Sequence, residues 1–182
     1  MARRDIYSRL DAWKAASCTG KVYRHSVPHS PARTLSGEGA RVNGGRWNPP
    51  DSFPTVYSSE EPATVVAEFL RSVDPSRDVR SLAAERVLWT LNVRLAQLVD
   101  LRLPDRLEAL GLPRNFHDPV DILRCQEIGD AAYYVGYKGL LVPSVARPEG
   151  VNLVIFVDHL SDGDLLEAEP DSEGQSLADH LP

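Results

Sequence analysis

Residues 28–54 constrain the fold more than any other stretch of the sequence. Nine of these positions are glycine or proline, and no apolar residue recurs with the period of a helix or a strand. Glycine and proline interrupt regular elements, so neither a long helix nor a long strand crosses this segment. Segments of this length are uncommon inside a compact domain and tend to be binding loops or disordered linkers.

The rest of the chain shows helical and strand periodicity in alternation. Apolar residues one turn apart predict a helix over 5–16, and apolar–polar alternation predicts a strand over 21–27. The other predicted elements are strands at 55–59, 85–93, 139–144 and 151–157 and helices at 59–73, 105–110 and 118–136. This order predicts an α+β domain. The strand at 151–157 is almost wholly apolar, so we expect it near the centre of the sheet.

Length and composition indicate one domain, residues 1–160, followed by a tail. The chain has 182 residues, which suits a single domain. Residues 161–182 are acidic and contain few core residues, so we expect a largely solvated tail that keeps the protein soluble. The cysteines Cys18 and Cys125 lie far apart without metal-type spacing, which favours two buried thiols over a disulfide or a zinc site.

Charge and hydropathy narrow the classes of function. The net charge of −6 opposes direct binding of nucleic acid. No apolar run approaches the roughly 20 residues of a membrane span, and the N-terminus lacks the pattern of a signal peptide, so we expect a cytoplasmic location. The motifs of a nucleophile elbow, a zincin helix and a P-loop are absent. His25 and His29 do not share a helix face, so we expect no metal site.

Two charged residues lie at positions that we expect to be partly buried next to the hydrophobic core. Glu68 is at the margin of the face that we expect helix 59–73 to bury, which consists of Ala63, Val66, Ala67 and Leu70. It is either a solvated boundary carboxylate or a carboxylate on the floor of a cleft. Arg24 lies on a half-buried strand and needs an anionic partner, either Glu68 in the empty protein or a phosphate of a ligand.

Two residues near the loop add to this set. Arg46 follows Gly44 and Gly45, whose backbone N–H groups can approach an anion closely, and arginine suits bidentate phosphate contact. Tyr57 is either a core aromatic residue or a stacking platform for a flat ring. We expect Trp47 to pack the loop onto the core and so to fix the direction of Arg46.

Together these positions resemble the RES domain family, named for arginine, glutamate and serine. The matching stretches are "VYRHS", "GEGARVNGGRWNPP", "TVYSSEEPATVVAEFL" and "LLVPSVARPEGVNLVIF". By motif, the family's arginines match Arg24 and Arg46, its tyrosine Tyr57, its glutamate Glu68 and its serine Ser144. Residues 74–135 cannot be aligned by motif.

The resemblance implies a fold like that of ADP-ribosyltransferases, with mixed and antiparallel strands flanked by helices. It implies a toxin of a bacterial toxin–antitoxin module that depletes NAD⁺ by hydrolysis or phosphorolysis, or alternatively ADP-ribosylates a protein target. The implied partner is an Xre-like antitoxin that blocks the NAD⁺ cleft and makes the contacts with DNA. The implied roles are catalytic for Glu68, Arg24 and Ser144, and NAD⁺-binding for Arg24, Arg46, Tyr57 and Ser144.

Elementary chemistry agrees with a single candidate carboxylate. Nicotinamide carries a positive ring nitrogen in NAD⁺ and leaves as a neutral molecule, so it needs no proton from an acid. Glu68 then stabilises the positive charge that develops on the ribose. NAD⁺ is a substrate and no true cofactor is expected. If inorganic phosphate is the co-substrate, Arg147 is a candidate cation for it. Two other classes of function are alternatives. A binding module without catalysis is disfavoured because all the motif residues are present, and a nucleic-acid-cleaving toxin is disfavoured because the chain is acidic.

Overall fold

A six-stranded sheet forms the centre of the computed structural model, which describes residues 3–113, 116, 119–170 and 175–182. The strands are β1 (Ala16–Ser26), β2 (Thr55–Ser59), β3 (Val87–Asp100), β4 (Gly139–Pro143), β5 (Val151–Phe156) and β6 (Leu165–Ala168). Their order is β1-β2-β5-β4-β3-β6, and β1 also pairs with β3. The first five strands therefore close on themselves. Only the β3–β4 pairing is parallel among the described pairings.

Helices flank this sheet, which confirms the predicted α+β class with mixed strands. The helices are α1 (Arg3–Asp11), α2 (Pro31–Leu35), α3 (Glu38–Asn43), α4 (Pro62–Ser72), α5 (Val79–Ala84), α6 (Pro104–Ala109) and α7 (Pro119–Val135). Each predicted helix and strand is present, with ends shifted by up to seven residues. Among the described residues, no helix combines the length and the apolar character needed to cross a membrane.

Strand β5 lies at the centre of the sheet, as its apolar sequence predicts. It pairs with β2 on one side and with β4 on the other. Its residues Leu153, Val154, Ile155 and Phe156 are fully buried. Alternate residues enter two different apolar clusters, one beneath α1 and α7 and one enclosed by the strands. Burial on both faces explains the continuous run of apolar residues.

Residues 28–54 contain two short helices that the sequence pattern did not predict. Pro31 occupies the first turn of α2, and the Ser30 hydroxyl accepts a hydrogen bond from the Arg33 backbone N–H. Gly37 and Gly44 flank α3 with positive φ values of 69° and 72°, which favour glycine. Helices of five and six residues are too short to show an apolar period. The proline and glycine residues that exclude a long helix or strand here therefore lie at the ends of these two short helices.

The predicted solvated tail after residue 160 is wrong for two segments. Residues Leu165–Ala168 form β6, which pairs antiparallel with Leu91–Arg94 of β3. Leu177 begins a short 3-10 helix, Leu177–His180, and is fully buried. It packs in a cluster with Phe69 of α4. The few apolar residues of this acidic segment are the ones that enter the fold.

Helix α4 buries a different face from the predicted one. Its buried residues are Thr64, Val65, Val66 and Phe69. Ala63 is exposed, and Ala67 and Leu70 are half-buried. The prediction was based on helical spacing alone. In the structure, Thr64, Val65 and Phe69 face the core in place of Ala63, Ala67 and Leu70.

Helix α7 also departs in part from its predicted apolar face. Ile128, Ala131 and Ala132 are fully buried, but Val120 and Leu123 are 80% and 70% exposed. The predicted cap, Asp118, lies outside the described residues. The core therefore meets only the later turns of this helix.

Candidate active site

A cavity of about 450 Å³ lies between β1, β2, α4 and the loop after α3. Four of the five predicted site residues line it: Arg24, Arg46, Tyr57 and Glu68. The fifth, Ser144, follows β4 directly behind the lining residue Pro143. Residues from distant parts of the chain meet here because β1, β2 and β5 are neighbours in the sheet.

The Glu68 carboxylate has one oxygen fixed by two hydrogen bonds. Its Oε1 accepts from Ser144 Oγ at 2.7 Å and from Asn152 Nδ2 at 2.7 Å. Asn152 Oδ1 in turn accepts from Ser59 Oγ at 2.7 Å. From the described part of the chain, no hydrogen bond reaches Oε2. We call Glu68, Ser144, Asn152 and Ser59 the carboxylate side of the cavity.

The Ser144 hydroxyl is itself held by the backbone. It accepts hydrogen bonds from the Ala146 and Arg147 N–H groups, each at 3.1 Å, and donates its own hydrogen to Glu68. The residue is only 5% exposed. The structure therefore places Ser144 against Glu68. The catalytic and NAD⁺-binding roles that the resemblance implies for Ser144 stay predictions.

Arg24 forms another side of the cavity and has no carboxylate partner in the part of the chain that the structure describes. Its Nη1 donates to the Thr34 carbonyl at 2.7 Å, and its buried Nε makes no hydrogen bond within the described residues. Burial lowers its pKa to about 10. The expected ion pair with Glu68 in the empty protein is thus wrong. We call Arg24, Arg46 and the glycines Gly44 and Gly45 the arginine side.

His25 also lines the cavity, beside Arg24. Burial, together with the positive charges of Arg86 and Arg24, lowers its pKa to about 4. Its Nδ1 lies 3.3 Å from Arg86 Nη1. Since a guanidinium only donates, Nδ1 accepts, and the neutral ring carries its proton on Nε2. The histidine therefore adds no charge to this side at neutral pH.

The loop that carries Arg46 is fixed by the Tyr57 hydroxyl. This hydroxyl accepts from the Trp47 backbone N–H at 2.9 Å and donates to Asn48 Oδ1 at 2.8 Å. Its burial raises the pKa of Tyr57 well above the usual value. A Cβ added to Gly45 would lie 2.4 Å from the hydroxyl oxygen, so only glycine allows this approach. Tyr57 thus anchors the loop as well as presenting its ring to the cavity.

Helix α7 holds the same loop from behind, in the region that motifs did not align. Gln126 Nε2 donates to the Gly45 carbonyl at 2.9 Å. A Cβ added to Gly129 would lie 1.7 Å from the Trp47 carbonyl oxygen, so helix and loop touch backbone to backbone. Trp47 is 2% exposed, which confirms its predicted role as an anchor. A glycine inside a predicted helix was the available signal for this contact.

Arg46 points along the loop toward the chain before α7. Its Nη1 donates to the Phe116 carbonyl at 3.3 Å, and its guanidinium lies 5.9 Å from the centre of the Phe116 ring. Buried Cys125 lies nearby, and burial raises the pKa of its thiol to about 12. The thiol is therefore protonated at neutral pH and is a poor nucleophile.

Arg147, the candidate cation for phosphate, is already paired. Its guanidinium contacts the carboxylates of Glu61 and, at 3.0 Å, Glu149. It is not among the described residues that line the cavity. Both cysteines are free, and the described residues contain no group of three or more histidine, cysteine or acidic side chains that could hold a metal ion.

The fold and the site together match one known class of protein. The sequence profile of the RES domain matches residues 21–176, so the chain belongs to the RES domain family. The match confirms the resemblance and runs past residue 160 into β6 and the segment beyond it.

Particular relatives can also be named. The chain is 34% identical over 152 residues, 82% of this chain and 79% of the relative, to the proteins named NAD(+) phosphorylase MbcT of Mycobacterium bovis and Mycobacterium tuberculosis. The structure is also similar to a chain in the crystal structure of the M. tuberculosis MbcT–MbcA toxin–antitoxin complex, with a TM-score of 0.81 and 32% sequence identity. The superposition covers 92% of the present chain and 91% of the chain in that complex.

Proposed function

We propose that this protein is the toxin of a toxin–antitoxin module and depletes NAD⁺ by cleaving the nicotinamide–ribose bond. The observation that carries the proposal is the cavity, whose lining contains both Glu68 and Arg24. Among the described residues, Glu68 Oε2 accepts no hydrogen bond and half-buried Arg24 has no carboxylate partner. Membership of the RES family and relatives named NAD(+) phosphorylase support the choice of NAD⁺.

Glu68 supplies the charge stabilisation for bond cleavage. As the C–N bond breaks, its electron pair moves to the ring nitrogen, and neutral nicotinamide leaves. Positive charge then develops at the ribose carbon, as in glycoside cleavage. A fixed carboxylate stabilises that charge without reorganising. Ser144 takes part by holding Oε1 through its hydroxyl.

The arginine side binds the diphosphate in this proposal. Arg24 lines the cavity and has no carboxylate partner among the described residues, so the anionic oxygens of the diphosphate provide the missing negative charge. Arg46 adds a second guanidinium. The expected contact of an anion with the Gly44 and Gly45 N–H groups is wrong, because these groups donate to the Ala40 and Asn48 carbonyls at 2.8 and 2.9 Å. The ring of Tyr57 is the surface for the nicotinamide, while its hydroxyl keeps the loop in place.

Inorganic phosphate is the acceptor that the name of the relatives favours. In phosphorolysis, a phosphate oxygen bonds to the ribose carbon as nicotinamide departs, which gives phosphorylated ADP-ribose. Hydrolysis gives ADP-ribose, and transfer to a protein leaves ADP-ribose on a side chain. The three outcomes therefore differ in their products. Arg147 is paired with two carboxylates, and the Lys or Arg residues among the described lining residues are Arg24 and Arg46. An incoming phosphate would therefore share the positive charge of these two arginines with the diphosphate.

The partner in this proposal is an Xre-like antitoxin that covers the cavity. A relative occurs in a toxin–antitoxin complex, and a chain end inserted between Arg24 and Glu68 would exclude NAD⁺. DNA contacts would then belong to the antitoxin, consistent with the net charge of −6 on this chain. A cytoplasmic location and an ADP-ribosyltransferase-like fold complete the proposal.

The test is incubation of the purified protein with NAD⁺, with and without inorganic phosphate, followed by separation of the products. We expect loss of NAD⁺ that depends on phosphate, release of nicotinamide and formation of phosphorylated ADP-ribose. Incubation with RNA under the same conditions should leave the RNA intact. No loss of NAD⁺ in any condition would overturn the proposal.

A Glu68→Gln variant provides the matched control. It keeps the size of the side chain and removes its charge, so we expect NAD⁺ turnover to fall by at least about 10²–10³-fold. Thermal unfolding and binding of the antitoxin should be unchanged. Full turnover by a folded Glu68→Gln protein would remove Glu68 from the mechanism.

A further inference from the structure

We infer that Asn152 is a positioning residue that fixes the direction of the Glu68 carboxylate and leaves one of its oxygens for the substrate, an inference that rests on the proposed function. Asn152 and Ser144 both donate to Oε1, at 2.7 Å each. Asn152 also lines the cavity, so it stands between the sheet and the reacting region. With two donors on one oxygen, rotation of the carboxylate would break both bonds. Oε2 is therefore left for the ribose.

The orientation of the Asn152 amide is itself determined by a second contact. Ser59 of β2 lies directly opposite Asn152 of β5 in the antiparallel register. Its hydroxyl lies 2.7 Å from Asn152 Oδ1 and donates to it. A rotated amide would place Oδ1 against the carboxylate oxygen of Glu68, where two acceptors repel. The NH₂ group must therefore face Glu68, and the relay runs from Ser59 through Asn152 to Glu68.

Three separate elements converge on Glu68 through these contacts. Helix α4 carries the glutamate, β5 carries Asn152, and Ser144 follows β4. A charged group that is held from rigid elements does not have to reorient as the reaction proceeds. Losing one of its two hydrogen bonds should therefore slow the chemical step more than it weakens NAD⁺ binding.

The first experiment separates the chemical step from binding. Asn152→Leu removes the donor while keeping a side chain of similar size, and we expect kcat to fall by about 10- to 100-fold with KM changed by less than about 3-fold. Ser59→Ala leaves the amide in place but frees its orientation, so we expect a smaller loss of kcat, about 3- to 10-fold. Unchanged kcat in both folded variants would overturn the inference.

The second experiment uses the pH dependence of kcat. Asn152→Asp is nearly isosteric and places a second carboxyl group against Glu68. Two carboxyl groups at hydrogen-bond distance share a proton up to a higher pH than either would hold one alone. We therefore expect the acid limb of the profile to move up by at least about one pH unit. The other ionisable residues of the cavity are Tyr23, Arg24, His25, Arg46 and Tyr57.

Asn92→Asp is the matched control for that change. Asn92 lies on β3, where its side chain contacts Glu169, and is not among the described residues that line the cavity. We expect its profile to coincide with that of the wild type. A purely structural role for Asn152 would lower thermal stability without moving the acid limb, and that result would contradict the inference. Absence of NAD⁺ turnover in the wild type would instead contradict the proposed function.

Discussion

The two sides of the cavity are built in opposite ways. On the carboxylate side, Glu68 Oε1 is satisfied by two hydrogen bonds, one of which a further hydroxyl supports. On the arginine side, Arg24 is half-buried, its buried Nε has no acceptor among the described residues, and burial lowers its pKa to about 10. One charge is supported by the protein, whereas the other is left incompletely paired.

This difference shows what each side contributes to the proposed reaction. A supported carboxylate has a fixed direction, which suits a group that must stabilise charge in the transition state. A partly desolvated cation without a carboxylate partner destabilises the empty protein and gains a counter-charge when an anion binds. The arginine side therefore gives binding energy at the expense of stability, and the carboxylate side gives orientation.

Replacing Arg24 should have the largest effect. For Arg24→Met we expect kcat/KM for NAD⁺ to fall by about 10²–10³-fold, while the free energy of unfolding stays the same or rises because an unpaired buried donor is removed. Steady-state kinetics and urea unfolding measure the two quantities. Arg33→Met, at an exposed position of α2, should change neither. A large loss of stability in Arg24→Met would show that the two sides do not differ as described.

The support of the loop behind Arg46 can be tested at Gly129. Gly129→Ala places a Cβ 1.7 Å from the Trp47 carbonyl oxygen, so helix and loop must separate. We expect the free energy of unfolding to fall by about 1–3 kcal/mol and KM for NAD⁺ to rise. Gly163→Ala, where an added Cβ meets nothing within 4 Å, is the control and should be nearly neutral. Equal stability of the two variants would argue against a tight contact.

A smaller effect is expected from His25, the neutral neighbour of the arginine side. Its pKa is about 4 in the folded protein against about 6.5 in an unfolded chain. As pH falls below about 6.5, the unfolded state takes up the proton first, so stability is lost as pH decreases toward 4. Between pH 7.5 and pH 5 this amounts to about 2 kcal/mol.

The matched measurement compares urea unfolding of the wild type and His25→Gln at pH 7.5 and pH 5. The variant should lose less stability between these two pH values than the wild type does. Equal losses would mean that His25 is not held neutral by the neighbouring cations.

Local patterns in the sequence predicted most of the fold and the main site residues. Arg46, Tyr57 and Glu68 lie close together in the chain, next to recognisable elements, and the structure places them in one cavity with Arg24. The contacts of Asn152 and Gln126 were not predicted, because each joins residues about 80 positions apart. No local period records such a pairing.

The missed elements have a related cause. Strand β6 has only four residues, and its acidic surroundings hide the pairing with β3. The buried face of α4 was assigned by spacing alone, and packing against Leu177 and β1 decided it instead. In both cases the partner in space, rather than the segment itself, determines the structure.

The buried position of Leu177 ties the end of the described chain to the helix that carries Glu68. A protease cut after residue 160 would remove β6 and Leu177, leaving the edge of β3 unpaired and the underside of Phe69 uncovered. Unpaired strand edges promote association between chains. Removal of this acidic segment would therefore destabilise the helix that carries Glu68 and lower activity, although no residue of the cavity is changed.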